Sequence, residues 1–263
     1  MSDLLRQRSG HIETLTLNRP DSRNAVNSAI SLGLSAAFDE IEEDDDCWVV
    51  IITASGKKAF CAGMDLKEFA AGEAGDEMGA KSGFMGASGG FAGITRRDFA
   101  KPVIAAINGP ALAGGFEIML SCDLVIAAEH ATFGLPEVKR GLIAGGGGLL
   151  RLSNKIPSVV ASELAMTGEP IDAHRALAIG LINKVVPAEA LMDEAMAMGN
   201  TLVDNAPLAV RATKQLMKKA SMLSDEEAWA LNSATTSLVN RSADAAEGPR
   251  AFTEKRRPVW LGK

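Results

Sequence analysis

The sequence predicts an α/β protein, and three observations carry the prediction. Short apolar runs rich in β-branched residues alternate with helical patterns up to about residue 150. From there to residue 263 the patterns are mostly helical. The composition, 47% hydrophobic and 23% charged over 263 residues, is that of an ordinary globular chain long enough to bury a sizeable core.

Taken in order, "IETLTLN" (12–18) alternates like a half-buried strand. "RPDSRN" reads as a loop, and "AVNSAISLGLSAAFDEIEEDD" carries apolar residues at helical spacing. "WVVIITA" (48–54), "KPVIAAING" (101–109) and "DLVIAAEHATFG" (123–134) read as buried strands. Helical patterns lie between them at 65–70 and 113–121. Further on, Ser158 is a candidate cap for a helix ending at Gly168, and Asp172 for a helix ending before Gly180. Ser224 and Glu227 have capping-box spacing. Residues 71–93 stand apart, with eight glycines among them beside Phe84, Met85 and Phe91. That mixture suggests a flap over an apolar pocket.

Several function classes find no support. A net charge of −6 argues against a nucleic-acid groove. His11, His130 and His174 are scattered without metal spacing, so no metal site is expected. Cys47, Cys61 and Cys122 form no CxxC pair and read as buried thiols of a reducing compartment. No apolar run reaches about 18 residues and the N-terminus has no signal-peptide core, so a cytoplasmic protein with no membrane partner is expected. Neither GxGxxG nor a P-loop is present, and Ser121-Cys122 lacks a nucleophile elbow.

Two turns share a logic. In "KKAFCAGMDLKEF" a short strand ends at Ala62-Gly63 and a helix begins after Asp65, a candidate N-cap. In "NGPALAGGFEIML" a strand ends at Asn108-Gly109 and a helix begins near Gly114. First-turn amides have no partner inside their helix. Two such donors from separate turns can hold an oxyanion. Glu117 follows Gly114 by three residues, about 4.5 Å along the same helix face. A carboxylate in an apolar helix needs a use or a partner. From this segment alone a buried salt bridge explains it as well. Glu137, after Pro136 in "FGLPEVKRG", reads alone as a surface residue. Together the two glutamates form the pair that acid–base chemistry on one water requires.

These segments, with "LNRPDSRNAVN", "GGGGLLRL", "MTGEPIDAHRALAIGLINKVV" and "EGPRAFTEKRRPVW", resemble the enoyl-CoA hydratase/isomerase (crotonase) superfamily in order along residues 17–260. "GGFE" and the C-terminal tail look most like the crotonobetainyl-CoA (carnitinyl-CoA) hydratase branch. The resemblance implies a spiral of ββα units in residues 1–190 and a helical trimerisation region in 191–263. It implies an acyl-CoA thioester as substrate, with no cofactor beyond that coenzyme A. The amides of Met64 and Gly114 would hold the thioester oxygen, with Glu117 and Glu137 catalytic. Arg23, Ala25, Ala62, Asp65, Leu66 and Lys67 would line the CoA channel, and Gly145 would donate an N–H near the reactive water. Hydratases of this family carry both glutamates, whereas isomerases typically keep the second. Homotrimers or dimers of trimers are implied. Ala144 departs from the proline of many relatives, which loosens the expected loop. Enoyl-CoA hydration is the expected activity, with crotonobetainyl-CoA hydration or double-bond isomerisation as alternatives.

Overall fold

A computed structural model gives the fold and describes residues 2–71 and 89–263. The expected flap at 71–93 therefore lies outside the described residues except at Ala71 and 89–93.

The chain begins with strands β1 (Leu4–Ser9) and β2 (Ile12–Leu17), then helix α1 (Ser28–Glu43), β3 (Val49–Ala54) and α2 (Leu66–Ala71). There follow β4 (Val103–Ile107), β5 (Ala111–Leu112), α3 (Gly114–Leu120), β6 (Leu124–Ala128) and β7 (Thr132–Gly134). The second half holds α4 (Gly148–Lys155), α5 (Ser158–Thr167), β8 (Ile171–Asp172), α6 (Ala173–Ala178), β9 (Lys184–Val186) and α7 (Leu191–Val203). It closes with α8 (Pro207–Ala220), α9 (Asp225–Asn240) and α10 (Ala243–Thr253).

Six strands form one sheet in the order β1-β2-β3-β4-β6-β9, parallel from β2 onward. Its middle strands β3 and β4 are buried on both faces, as their unbroken apolar sequences require. The faces separate by the two-residue period of a strand. Val50, Ile52, Ala105 and Ile107 join the main core with Phe38 of α1 and Phe116 of α3. Val49, Ile51, Ile104 and Ala106 face the other way, against Leu191 and Ala195 of α7.

Two expectations need correction, and one strand, β1, was not foreseen. Residues 123–134 are two strands, not one: β6 belongs to the large sheet and β7 to a small one of order β5-β7-β8. The exposed pair Glu129-His130 marks the turn between them, which the surrounding apolar residues mask in the sequence. Strand β1 has no alternating pattern because it is an exposed edge, where Arg6 and Arg8 both pair with buried Glu13 of β2. Ser158 is the first residue of α5 and makes no cap; extended Pro157 occupies the cap position. Asp172 does cap α6, and Ser224 with Glu227 forms the capping box of α9. The three cysteines are free and buried, and burial pushes the Cys61 and Cys122 thiols up to about 12.

Asn24 is the fixed point of the loop before α1. It is fully buried at a left-handed φ of 52°, which asparagine tolerates. Its Nδ2 donates to the Ser55 carbonyl (3.0 Å) and the Ala59 carbonyl (2.8 Å), and its Oδ1 accepts from the Arg19 amide (2.9 Å). Asn24→Ala strands those three backbone groups, which should cost about 2–4 kcal/mol. A calorimetric melt should fall by about 2–4 °C per kcal/mol. An unchanged melting temperature would contradict this account of the loop.

Candidate active site

The small sheet extends sideways through single bridges into a ladder of short parallel segments. Ala62 donates its amide to the Arg23 carbonyl (3.1 Å), and Val26 donates to the Gly63 carbonyl (2.8 Å). Cys61 bridges Ala111 in parallel, with the Leu112 amide on the Cys61 carbonyl (3.0 Å). Strand β5 pairs in parallel with β7, and the Ala113 amide reaches the Gly134 carbonyl (3.0 Å). All four segments run the same way, so their C-terminal ends gather. Those ends lead into Ala25, Met64, Gly114 with Glu117, and Glu137. The C-terminal edge of parallel strands is where α/β proteins bind ligands.

Backbone contact brings the two amides together. A Cβ on Gly63 would lie 2.9 Å from the Ala113 Cβ and 3.1 Å from the Gly114 nitrogen, and Gly63 has φ +97°, so only glycine fits. The Val26 bridge uses the Gly63 carbonyl and the Asp65 amide, leaving the intervening Met64 N–H outside it. Among the described residues neither the Met64 nor the Gly114 N–H finds an acceptor. Ala113 holds φ 52°, ψ −128°, a region that costs a non-glycine residue about 1–3 kcal/mol. Gly114 is small for a second reason: a Cβ there would strike the Phe91 ring at 2.5 Å.

Glu117, on buried helix α3, is only 4% exposed. Its Oε1 accepts the Gly148 amide (2.9 Å). Gly146 and Gly148 press so close that a Cβ on either would lie within 3.0 Å of the side chain, at 2.5 and 2.9 Å. Burial holds the carboxyl above its ordinary value, while the Gly148 and Gly146 amides and the Arg151 charge pull the other way. No ion pair reaches Glu117 among the described residues, so the salt-bridge explanation falls.

Glu137 enters from a 3-10 turn, Pro136–Arg140, that opens on Pro136 and closes at left-handed Gly141. Its Oε2 is buried with no hydrogen-bond partner. Burial raises its carboxyl; its own backbone amide opposes this, and the charge of Glu117 raises it further. The charge state of Glu117 therefore bears on the Glu137 carboxyl.

The remaining expected residues lie along the outer edge of the ladder. Arg23 is exposed with φ 52°, and Leu66 and Lys67 are exposed at the start of α2. Ala25 and Ala62 are half-buried. Asp65 does cap α2, through the Lys67 and Glu68 amides at 3.1 and 3.4 Å, and its other oxygen pairs with Arg19 at 2.8 Å. Burial works against its charge, but Arg19 and those amides outweigh it and keep the carboxyl below its ordinary value. Gly145 is exposed, and the neighbouring Gly146 and Gly148 make the loop's contacts with Glu117. Ala144 is buried at 8% exposure beside that turn. Sequence reasoning missed Arg19, Asn24 and Arg151 as parts of the site, while Phe91 had stood out only as an apolar residue of the glycine-rich segment. Asn24 carried a legible signal, an asparagine suited to a left-handed turn; the others become visible only through contacts.

Both glutamates are held above the ordinary carboxylate value of 4.5, so the folded chain retains protons that the unfolded chain has released. Their contribution to stability therefore falls as pH rises from about 4.5 through the folded values. Glu117→Gln and Glu137→Gln should each melt higher than the parent at neutral pH, and the gain should vanish below 4.5. Parent and variants melting alike across the whole range would contradict the assigned burial cost.

Comparison with known proteins meets this geometry from outside. The enoyl-CoA hydratase/isomerase family model matches residues 7–263. A carnitinyl-CoA dehydratase of Salmonella enteritidis is 43% identical over 262 residues, covering 97% of each chain. The crystal structure of an enoyl-CoA hydratase from Mycobacterium tuberculosis superimposes with a TM-score of 0.94 at 42% identity over 100% of both chains. That of a carnitinyl-CoA hydratase from Mycobacterium avium gives 0.77 at 43% identity, again over 100% of both. With its parallel ladder, paired amides and paired glutamates, the chain belongs to the enoyl-CoA hydratase/isomerase (crotonase) family.

Proposed function

We propose that the protein is a hydro-lyase that interconverts 2-enoyl-CoA and 3-hydroxyacyl-CoA thioesters. The observation that carries this reading is the pair of buried carboxyls at one edge of the ladder, next to two unengaged backbone amides.

In hydration, the thioester oxygen accepts hydrogen bonds from the Met64 and Gly114 amides. Glu117 takes a proton from water as the water oxygen bonds to C3. The C2–C3 π electrons move toward the carbonyl, and the resulting enolate oxygen is stabilised by the two amides. Glu137 gives its proton to C2, and the thioester carbonyl re-forms. Dehydration runs the same path backwards. The division of roles follows from the surroundings. Glu117 has amide donors that favour its charged form, as a base needs. Glu137 has a buried oxygen without a donor and feels the charge of Glu117, so the proton resides there. The chemistry calls on no cofactor beyond the coenzyme A of the substrate. Among the described residues no group of three or more His, Cys, Asp or Glu is placed to hold a metal.

Among acyl groups, a carnitine-type substrate is favoured over a plain enoyl chain. Its support is the 43% identity over 97% of both chains to dehydratases named for carnitinyl-CoA. Simple 2-enoyl-CoA is the second reading, favoured by the superposition on enoyl-CoA hydratases.

The chain is further proposed to work as a homotrimer or a dimer of trimers in the cytoplasm. The C-terminal helices expose Met217, Trp229, Leu238 and Phe252 at 73%, 65%, 59% and 84%, a density of apolar surface that suits subunit contacts. Residues 191–263 would carry those contacts beyond α7, which packs on the sheet. No helix among the described residues is long and apolar enough to cross a membrane.

Three measurements test this. Turnover of crotonobetainyl-CoA, crotonyl-CoA and a 3-enoyl-CoA should rank in that order by kcat/KM. Glu137→Gln should lower kcat by about 10²–10⁴ without matching loss of binding, and near-parental turnover would overturn the mechanism. Light scattering should give three or six times 27.5 kDa; a monomer at assay concentration would overturn the assembly.

A further inference from the structure

Arg151 of α4 has no role in the chemistry above, yet it touches both halves of the site. One guanidinium nitrogen donates to the Gly146 and Gly147 carbonyls, at 3.4 and 3.3 Å, and the other to the Thr95 carbonyl. The first two belong to the turn whose amides hold Glu117. Thr95 ends the short segment that carries Phe91, whose ring covers the Gly114 Cα. Gly147, at φ +92°, is small because a Cβ there would lie 2.4 Å from the guanidinium. Among the described residues Arg151 makes no ion pair with any carboxylate, although it is only half-exposed. A partly buried arginine spent on three carbonyls is costly unless fixing them matters.

We propose that Arg151 is a positioning residue: its guanidinium ties the Gly146–Gly148 turn to the Phe91–Thr95 segment, so that the amides aimed at Glu117 and the surface packed against Gly114 are fixed by one side chain. The positive charge also opposes the burial that raises the Glu117 carboxyl. The planar fork is essential to this, since a lysine cannot span both sets of carbonyls. The charged and titratable groups around Glu117 are few. Arg151 faces it from α4 and Glu137 from the 3-10 turn. Of the other elements packed on α3, β5 and the turn Phe91–Gly93 carry no titratable side chain, while Cys61 against Gly115 and Cys122 just past the helix carry buried thiols pushed up to about 12.

The proposal rests on the hydro-lyase reading for its catalytic meaning, but its test does not need activity. Carbon-13 NMR of glutamate carboxyls, with the Glu117 resonance assigned by its loss in Glu117→Gln, gives the Glu117 titration in the full-length protein. In Arg151→Met the midpoint should rise, because the charge that opposes the burial of Glu117 is gone. Arg151→Lys should return the midpoint most of the way to the parent. In parallel, kcat/KM on crotonyl-CoA should show its acid limb displaced upward in Arg151→Met. In Arg151→Lys the limb should return while kcat stays about tenfold low, because the charge is restored but the turn is not held. A Glu117 midpoint unmoved in Arg151→Met overturns the proposal, as does full kcat in Arg151→Lys. If Arg151→Met fails to fold, Arg151→Gln takes its place under the same criteria. A parent protein that turns over none of the enoyl-CoA substrates overturns the hydro-lyase reading alone, and the carboxyl titration still decides the role of Arg151.

Discussion

Everything at the site depends on one constraint: four short segments run parallel and share backbone hydrogen bonds. The contacts from Arg23–Ala62 through Cys61–Ala111 to Ala111–Phe133 are few, and none is a long strand. They suffice because the large sheet already fixes where each segment leaves it. Parallel direction then decides that Met64, Gly114, Glu117 and Glu137 emerge at one edge. Were any one segment antiparallel, its functional group would emerge at the opposite end.

The close approach of those segments explains the glycines better than flexibility does. Gly63, Gly114 and Gly115 lie where a Cβ would meet Ala113, the Phe91 ring or the Cys61 carbonyl at 2.2–2.9 Å. Gly146 and Gly148 leave room for a carboxylate instead of a side chain. The strain at Ala113 and the burial of two carboxyls both cost stability. Such costs are retained where geometry must be held in advance of substrate, because groups already aimed and dehydrated need not reorganise during reaction.

Much of the site was legible before any coordinates. Gly114 and Glu117 were readable because they violate local rules, a glycine pair opening a helix and an acid in an apolar run; Met64 stood out as a turn between strand and helix, and Glu137 only as the partner of Glu117. Strands β3 and β4 were readable because a strand buried on both faces leaves an unbroken apolar record. The edge strand β1 and the split between β6 and β7 were not, since an exposed edge has no period and a two-residue turn vanishes inside apolar neighbours. The glycine loop is ambiguous in the sequence for a related reason. In "AGGGG" every position looks alike, and only the packing against Glu117 distinguishes Gly146 and Gly148 from Gly145.

The sequence by itself determined the α/β class and the helix caps at Asp172 and Ser224, and it marked out the glutamates and turn amides that the proposed chemistry uses. These are written in local periodicity and in residue types whose placement has a local reason. Tertiary structure alone decided how those residues meet. It made Glu117 a residue with amide donors and Glu137 one with a buried, unpartnered oxygen. It gave Arg19, Asn24 and Arg151 their roles, through contacts between segments as far apart as 56 positions in the chain. Long-range pairing and desolvation are properties of neighbours in space, and a single sequence records only neighbours along the chain.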